Sequence, residues 1–254
     1  MTDLSETLST PDVIVSRDLQ STAAAIADRL VDRLIGRKAH THISVTGGGL
    51  GGAIWPAVAA HPKSRAVRWD RMHIWFSDER FLPGGDPERN DTAVVAVADS
   101  LGLLREHIHS VAGPDSTTSV DGAVYGYALE LWGRRVLRPG DLPAPVFAVS
   151  ILGVGPDGHV ASLFPGRPEV GLREGTVVAI TDSPKPPPIR VSFTRLAIEH
   201  CQELWMIAAG AEKAAAVDRA MRGDDPNRTP AAGLHGLGRT LWFIDEALAA
   251  GLTA

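Results

Sequence analysis

The amino-acid sequence predicts an α/β fold with a doubly wound, mostly parallel sheet and helices on both of its faces. Short apolar runs rich in β-branched residues alternate along the whole chain with stretches of helical periodicity. This alternation is typical of strand–helix–strand units, whose strands pair in parallel. The length of 254 residues suits one large domain or two small ones. Because the sequence shows no internal repeat and no long linker, we assign residues 1–254 to one domain, with residues 1–12 as a poorly ordered N-terminal extension.

Eight apolar runs are the predicted strands, in chain order residues 13–15, 43–46, 72–76, 146–152, 177–180, 190–193, 204–208 and 241–244. A helix follows the first strand, because Ile26, Leu30 and Leu34 recur every fourth residue on one face. Further helices are predicted over residues 92–100, 121–136 and 211–221, and an exposed loop over 223–240. In such folds ligands bind beyond the carboxyl ends of the strands, so the segments after residues 46, 76 and 152 are the candidate site.

Net charge, cysteine content and hydropathy argue against several kinds of partner, metal site and cellular location. The net charge of −5 does not favour nucleic acid or an anionic membrane as a partner, so an anionic small molecule would need a local cluster of cations. The single cysteine, Cys201, allows no internal disulfide and no cysteine metal cluster, and reads as a buried apolar residue. The acidic N-terminus lacks the features of a signal peptide, and no apolar run approaches membrane-spanning length, so we expect a cytoplasmic protein.

The strongest candidate for catalysis follows the fourth predicted strand. There the chain breaks into glycine and proline and offers Asp157 and His159 within three residues, before the apolar residues Leu163 and Phe164. Imidazole titrates near neutrality and can take a proton from water, while a neighbouring carboxylate orients the ring. The alternatives are an aspartate that only shapes the turn and a histidine satisfied by the backbone.

Two further strand ends carry polar or glycine-rich segments. Gly47, Gly48 and Gly49 open a run of glycines that leads into a helix, where backbone N–H groups can approach an anion; a tight turn is the simpler reading. After the third strand come Asp78, Glu79 and Arg80, which could bind a polar substrate or form a local ion-pair network. Asn90 could cap the following helix or contact a ligand.

Three cations lie near strand ends and could hold a phosphate together with the glycine run. Lys185 and Arg190 flank a run of prolines that forms a stiff loop, and Lys213 begins a helix after the seventh strand. Each cation alone is more often a solvated surface charge. No metal site is expected, because the histidine pairs at 40 and 42 and at 107 and 109 have no third ligand at a suitable spacing, and Ser162 lacks the context of a serine hydrolase.

Taken together, these segments resemble the 6-phosphogluconolactonase family over most of the chain. The matching stretches, in the order of the family, are SDERFLP from residue 77 with Asn90 downstream, LGVGPDGHVASLFPG from 152, DSPKPPPIR from 182 and GAEK from 210. The related glucosamine-6-phosphate deaminases share the Asp-Gly-His element but differ after the histidine. The chain departs from the family where Gly49-Leu50-Gly51 replaces a serine or threonine before proline, and at Ser77 and Val160.

The resemblance implies a Rossmann-like fold similar to that of the deaminases, and hydrolysis of a phosphosugar lactone by a monomer without cofactor or metal. In that reading His159 is the general base, Asp157 orients it and Arg80 stabilises negative charge. Gly47, Gly48, Gly49, Asp78, Lys185, Arg190 and Lys213 bind substrate or phosphate. The alternatives are a sugar-phosphate isomerase or deaminase that uses Asp78 as its base, and a sensor that binds a sugar phosphate without catalysis.

Overall fold

The structure is a computed structural model that describes residues 12–135 and 142–253. The predicted N-terminal extension lies outside the described residues except for Asp12, which begins the first strand, and Val136 of the predicted helix 121–136 also lies outside them. The strands are β1 (Asp12–Ser16), β2 (Thr41–Val45), β3 (Met72–Phe76), β4 (Asp78–Arg80), β5 (Ile108–His109), β6 (Phe147–Gly153), β7 (Val177–Ile180), β8 (Arg190–Phe193), β9 (Cys201–Ala208) and β10 (Arg239–Asp245). The helices are α1 (Leu19–Leu34), α2 (Gly48–Ala60), α3 (Thr92–Leu101), α4 (Val120–Gly133), α5 (Arg195–Glu199), α6 (Ala214–Met221) and α7 (Glu246–Ala249).

Seven strands form one parallel sheet in the order β1-β10-β9-β6-β2-β3-β5, which confirms the predicted α/β fold. From β2 the chain runs through α2 to β3 on one side, whereas β6 lies on the other side of β2 and leads on to β9. The direction of winding therefore reverses between β2 and β6. A crevice opens at such a switch point beyond the carboxyl ends of the two strands, which makes it the expected ligand site.

The core is divided between the two faces of this sheet. On one face α1, α2 and α3 pack through residues such as Ile26, Leu30 and Val94, each 0% exposed. On the other face α4, α6 and α7 pack through residues such as Leu131 and Val217. The strands contribute alternate side chains to the two clusters, as their twofold periodicity requires. Helices on both faces are thus confirmed.

A second, antiparallel sheet of order β4-β8-β7 lies apart from the main sheet. The predicted strands 177–180 and 190–193 are correct as elements, but they belong here. Only Ser77 separates β3 from β4, so the chain passes directly from the main sheet into the small one. An apolar run identifies a strand but not its partner, because pairing is decided by residues distant in the sequence.

The segment 223–240 is only in part the exposed loop that its composition predicted, because residues 229–232 in its middle are buried. Thr229 and Ala232 are fully buried, and Arg195 Nη2 donates to the carbonyl of Ala232 at 2.9 Å. The N–H of Ala231 donates to the carbonyl of Gly158 at 3.0 Å. The segment therefore packs behind the loop that carries Asp157 and His159. Polar composition predicted exposure, but the backbone groups here find buried partners.

The two histidine pairs have a third partner that spacing alone did not reveal. In the parallel pairing of β2 and β3, His73 lies beside His42. His73 also donates or accepts a hydrogen bond at 2.9 Å with each of His40 and His109. The expectation that no third ligand accompanies the pairs was therefore wrong, because strand pairing joins residues about thirty positions apart. No helix in the described parts of the chain is long and apolar enough to cross a membrane.

Candidate active site

A cleft of about 220 Å³ opens at the carboxyl ends of β2 and β6, at the switch point of the main sheet. This volume lies below that of pockets for drug-sized ligands and suits a small polar molecule. Eight of the ten residues predicted for the site line the cleft: Gly47, Gly48, Gly49, Asp78, Arg80, His159, Arg190 and Lys213. The other two, Asp157 and Lys185, contact His159. The structure therefore brings together segments from five separate parts of the chain.

The glycine run forms the start of α2 and one wall of the cleft. Gly47 is the residue before the helix and, since it has no side chain, it caps none of the backbone N–H groups of the first turn. A Cβ atom at Gly47 would lie 1.8 Å from Oδ1 of Asn90, so only glycine allows this close approach. The bare N–H groups and the positive end of the helix dipole make this wall suitable for an anion.

His159 and Asp157 form a hydrogen-bonded pair on the loop after β6. Nδ1 of His159 lies in short contact with Oδ1 of Asp157, and the side chain of His159 is 17% exposed. A proton on Nδ1 donated to the carboxylate leaves Nε2 as the basic nitrogen. This contact therefore suits the tautomer that base catalysis needs, with the orienting carboxylate in place.

The charge of Asp157 is stabilised by its neighbours. Burial alone would raise the pKa of this carboxyl, but the hydrogen bond from His159 and the nearby positive charge of Lys185 outweigh burial and lower it. Nζ of Lys185 lies 3.5 Å from Oδ1 of Asp157 and 3.2 Å from Nδ1 of His159. Asp157 thus stays a carboxylate, and Lys185 acts on the pair rather than lining the cleft.

The loop that carries Asp157 and His159 is held by apolar packing and by close backbone contact. Phe164 is 1% exposed and packs against the His159 ring at 4.8 Å between centroids, which confirms the predicted apolar anchor. A Cβ atom at Gly155 would lie 2.0 Å from Nδ1 and Cε1 of His159, so the ring also comes close to bare backbone. Ala161, two residues on, lines the cleft with a left-handed φ of 48°, a strained conformation of the kind that clusters at functional sites.

Asp78, Glu79 and Arg80 were expected either to bind a polar substrate or to form a local ion-pair network. The strand β4 decides between these roles, because successive side chains point to opposite faces of a strand. Asp78 and Arg80 line the cleft. Glu79 lies on the other face, fully buried, with Oε2 at 3.7 Å from Nη2 of Arg89. Asp78 and Arg80 therefore lie where a substrate could bind, whereas Glu79 belongs to an ion-pair network with Arg89 and Asp91.

Asp78 is fixed by two side chains whose role the sequence did not reveal. Ser162 donates its hydroxyl to Oδ2 of Asp78 at 2.7 Å, and Asn90 donates to Oδ1 at 3.1 Å. Asn90 therefore lies at the site and does not cap α3. Ser162 was set aside as a nucleophile, and its position three residues after His159 was the available signal that it reaches the same site.

The burial of Glu79 makes a pH dependence of stability measurable. Burial outweighs Arg89 and raises the Glu79 pKa from 4.5 to about 7. A carboxyl whose pKa rises on folding binds its proton more tightly when folded, so its contribution to stability falls as pH increases from about 4.5 to about 7. We expect the unfolding free energy of wild type, relative to Glu79→Gln, to fall by up to about 3 kcal/mol across this window in urea titrations. Parallel pH profiles for the two proteins would contradict the raised pKa.

The predicted phosphate-binding cations occupy different positions around the cleft. Arg190 is 6% exposed and donates to the carbonyls of Lys185, Pro186 and Pro187 at 3.0–3.1 Å, so it braces the proline loop as well as lining the cleft. Its Nη1 lies 3.9 Å from Oδ2 of Asp78. Nη1 of Arg80 donates a hydrogen bond to the carbonyl of Glu88. Its Nε is buried and has no hydrogen-bond partner among the described residues.

Lys213 lies at the start of α6 and also lines the cleft. It is half-buried, and burial lowers its pKa, reinforced by the charge of Lys185. Desolvation of an ammonium group is offset when an anion binds beside it. Lys213 is therefore well suited to an anionic ligand, as is Arg190, whose pKa is also lowered by burial.

Comparison with known proteins supplies the family. The sequence profile described as glucosamine-6-phosphate isomerases/6-phosphogluconolactonase matches residues 16–242. The chain belongs to this family. A member from Streptomyces coelicolor, named 6-phosphogluconolactonase, is 43% identical over 249 residues, covering 96% of this chain and 95% of the relative.

Solved structures of the family have the same fold. The crystal structure of 6-phosphogluconolactonase from Leishmania guyanensis matches with a TM-score of 0.81 at 20% identity, covering 96% of this chain and 99% of the other. A monomeric glucosamine-6-phosphate deaminase matches with a TM-score of 0.69 at 18% identity, covering 94% and 99%. Because both activities occur on this fold, the fold alone does not choose between them.

Proposed function

We propose that this protein hydrolyses 6-phospho-D-glucono-1,5-lactone to 6-phospho-D-gluconate, the second step of the oxidative pentose phosphate pathway. The observation that carries the proposal is the pairing of His159 with Asp157 in a cleft that also offers an anion-binding helix start. The name of the Streptomyces relative supports the same reaction. In this proposal the protein is a cytoplasmic monomer that uses neither a metal nor a cofactor.

The phosphate would bind at the start of α2. Backbone N–H groups of Gly47–Gly49 supply hydrogen bonds there, and Lys213 and Arg190 supply charge. Among the described residues, Arg80, Arg190 and Lys213 line the cleft with positive charge and Asp78 with negative charge, although the whole chain has a net charge of −5. This local excess of positive charge favours an anionic substrate.

The lactone carbonyl would then lie between His159 and Arg80. Nε2 of His159 takes a proton from water as the water oxygen attacks the carbonyl carbon. Arg80 stabilises the negative charge on the carbonyl oxygen of the tetrahedral intermediate. When the bond from this carbon to the ring oxygen breaks, the imidazolium returns the proton to that oxygen, and the products are a carboxylic acid and a hydroxyl group.

Asp157 and Lys185 serve His159 in this proposal. The carboxylate keeps the proton on Nδ1 and stabilises the imidazolium while it exists, and Lys185 keeps Asp157 ionised. A δ-lactone is already activated, so base catalysis of about 10²–10⁴-fold and oxyanion stabilisation of about 10²–10³-fold suffice.

The test is to generate the lactone in situ and follow its decay with and without the protein. We expect faster decay with the protein, and a much smaller effect on unphosphorylated glucono-1,5-lactone, which lacks the group that the glycine run and Lys213 bind. Decay at the buffer rate would reject the proposal, and binding of 6-phosphogluconate in that case would identify a sensor. Exchange of a carbon-bound proton of a sugar phosphate with deuterium from solvent would instead identify an isomerase or deaminase that uses Asp78.

A further inference from the structure

A cluster of histidines lies at the amino end of the main sheet, away from the cleft at the carboxyl ends. His40 precedes β2, His73 is the second residue of β3, and His107 precedes β5. One ring nitrogen from each of the three lies within 4.8 Å of one ring nitrogen of both others. The proposed lactone chemistry uses none of these side chains.

The hydrogen bonds of His109 determine which ring nitrogen of His73 carries the lone pair. Nδ1 of His109 donates to the carboxylate of Glu130, which leaves Nε2 of His109 as an acceptor for Nδ1–H of His73 at 2.9 Å. Nε2 of His73 therefore carries a lone pair, and it lies 2.9 Å from Nδ1 of His40. A carboxylate behind a ligating histidine is the usual outer partner at metal sites.

His107 provides a second, independent observation. Its side chain lies 3.9 Å from the His73 ring between centroids, and the residue is 8% exposed. Its Nδ1 is buried and has no hydrogen-bond partner among the described residues. Buried polar atoms are nearly always paired, so an unpaired imidazole nitrogen indicates a missing partner.

We propose that His40, His73 and His107 form a binding site for Zn²⁺. Three imidazoles are a common ligand set for this ion, and a water molecule takes the fourth tetrahedral position. Because His40 is exposed, that fourth position opens to solvent. Tetrahedral ligands about 2.0–2.1 Å from zinc lie about 3.3 Å apart, so the rings of His40 and His73 separate by a few tenths of an ångström.

The proton balance of binding is simple. The proton on Nδ1 of His40 leaves that nitrogen, and the exposed Nε2 of the same ring takes one up from solvent, so neutral rings bind the ion without net proton release. The surrounding charges are Glu106 and Glu130, which favour a cation, and Arg134, which opposes it. The bound ion ties the two-residue edge strand β5 to β3 and to the residue before β2.

The test is calorimetric titration of tag-free, chelator-treated protein with a zinc salt. We expect one ion per chain, about 100-fold weaker binding or more in His40→Gln and His107→Gln, and about 10-fold weaker binding in Glu130→Gln. His235→Gln is the matched control, because His235 is exposed and outside the cluster. Unfolding curves of the metal-free variants check that each still folds, which His40→Gln should, since His40 is exposed.

Two further measurements distinguish this zinc site from the active site. Co²⁺ in place of zinc should give the visible absorption of a tetrahedral site in wild type and in His159→Asn, but not in His40→Gln. Removal of zinc should leave lactone decay unchanged, so failure of the metal site and failure of the proposed hydrolysis are distinguishable. Equal zinc affinity in wild type, His40→Gln and His107→Gln, no zinc binding at all, or binding lost in His159→Asn would each overturn the proposal.

Discussion

Replacing His159 with asparagine should lower the turnover of lactone hydrolysis by about 10²–10⁴-fold while the protein folds normally. The asparagine amide can still donate to Asp157 in place of Nδ1–H, so the local hydrogen bond is retained. What disappears is Nε2, the nitrogen that would take the proton from water. The measurement is kcat on lactone generated in situ, with urea unfolding as the check on stability and His235→Asn as a surface control.

A second variant tests whether Asp157 acts through His159. In the proposed mechanism Asp157 only orients His159 and stabilises its positive charge. Adding Asp157→Asn to His159→Asn should therefore lower turnover little further. Residues that act as one unit show this lack of additivity. Near-normal turnover in His159→Asn would show that another group is the base, and additive losses in the double variant would give Asp157 an independent role.

Replacing Gly155 with alanine should lower kcat by about 10²-fold through misplacement of His159. A Cβ atom there lies 2.0 Å from the imidazole ring and 2.8 Å from Oδ1 of Asp157, so the ring, the carboxylate or the backbone has to move. A displacement of about 1 Å at a reacting group costs about this much in rate. The same crowding should destabilise the fold by about 1–3 kcal/mol.

The separation of kcat from KM makes this prediction specific. The three atoms nearest to a Cβ at Gly155 belong to His159 and Asp157. The phosphate would bind instead at the start of α2 and Lys213, so KM should change little. Gly126→Ala is the matched control, because a Cβ at this exposed position in α4 meets nothing within 4 Å and a helix favours alanine over glycine. A Gly155→Ala protein with wild-type kcat would show that the close approach of Gly155 is not needed to position His159.

The elements of the fold could be predicted because their patterns are local. Fourfold spacing of Ile26, Leu30 and Leu34 is sufficient to predict α1, and all eight apolar runs are strands. Where the pattern was short or absent, the elements were missed: β4 has three residues and β5 has two. The assignment of β7 and β8 to a second sheet could not be predicted, since their partners lie far along the chain.

The candidate site was predictable for a related reason. In a parallel α/β sheet the loops after several strands meet at one edge, so chemistry found after residues 46, 76 and 152 had to come together. The sequence did not indicate how the residues divide the work. Ser162 and Asn90 hold Asp78, and Lys185 contacts the pair of Asp157 and His159, through contacts between residues 12 to 84 positions apart. Arg190 braces the neighbouring proline loop through local contacts.

By itself, then, the sequence determined the type and order of most elements, the strand ends that meet at the candidate site, and the family. The tertiary structure alone decided which face each residue of β4 presents, so that Asp78 reaches the cleft while Glu79 is buried in an ion-pair network. It also decided that His73 joins His40 and His107. The physical reason is the same in both cases. The periodicity of a helix or strand depends on neighbouring residues, whereas strand register is set by the packing of the whole sheet.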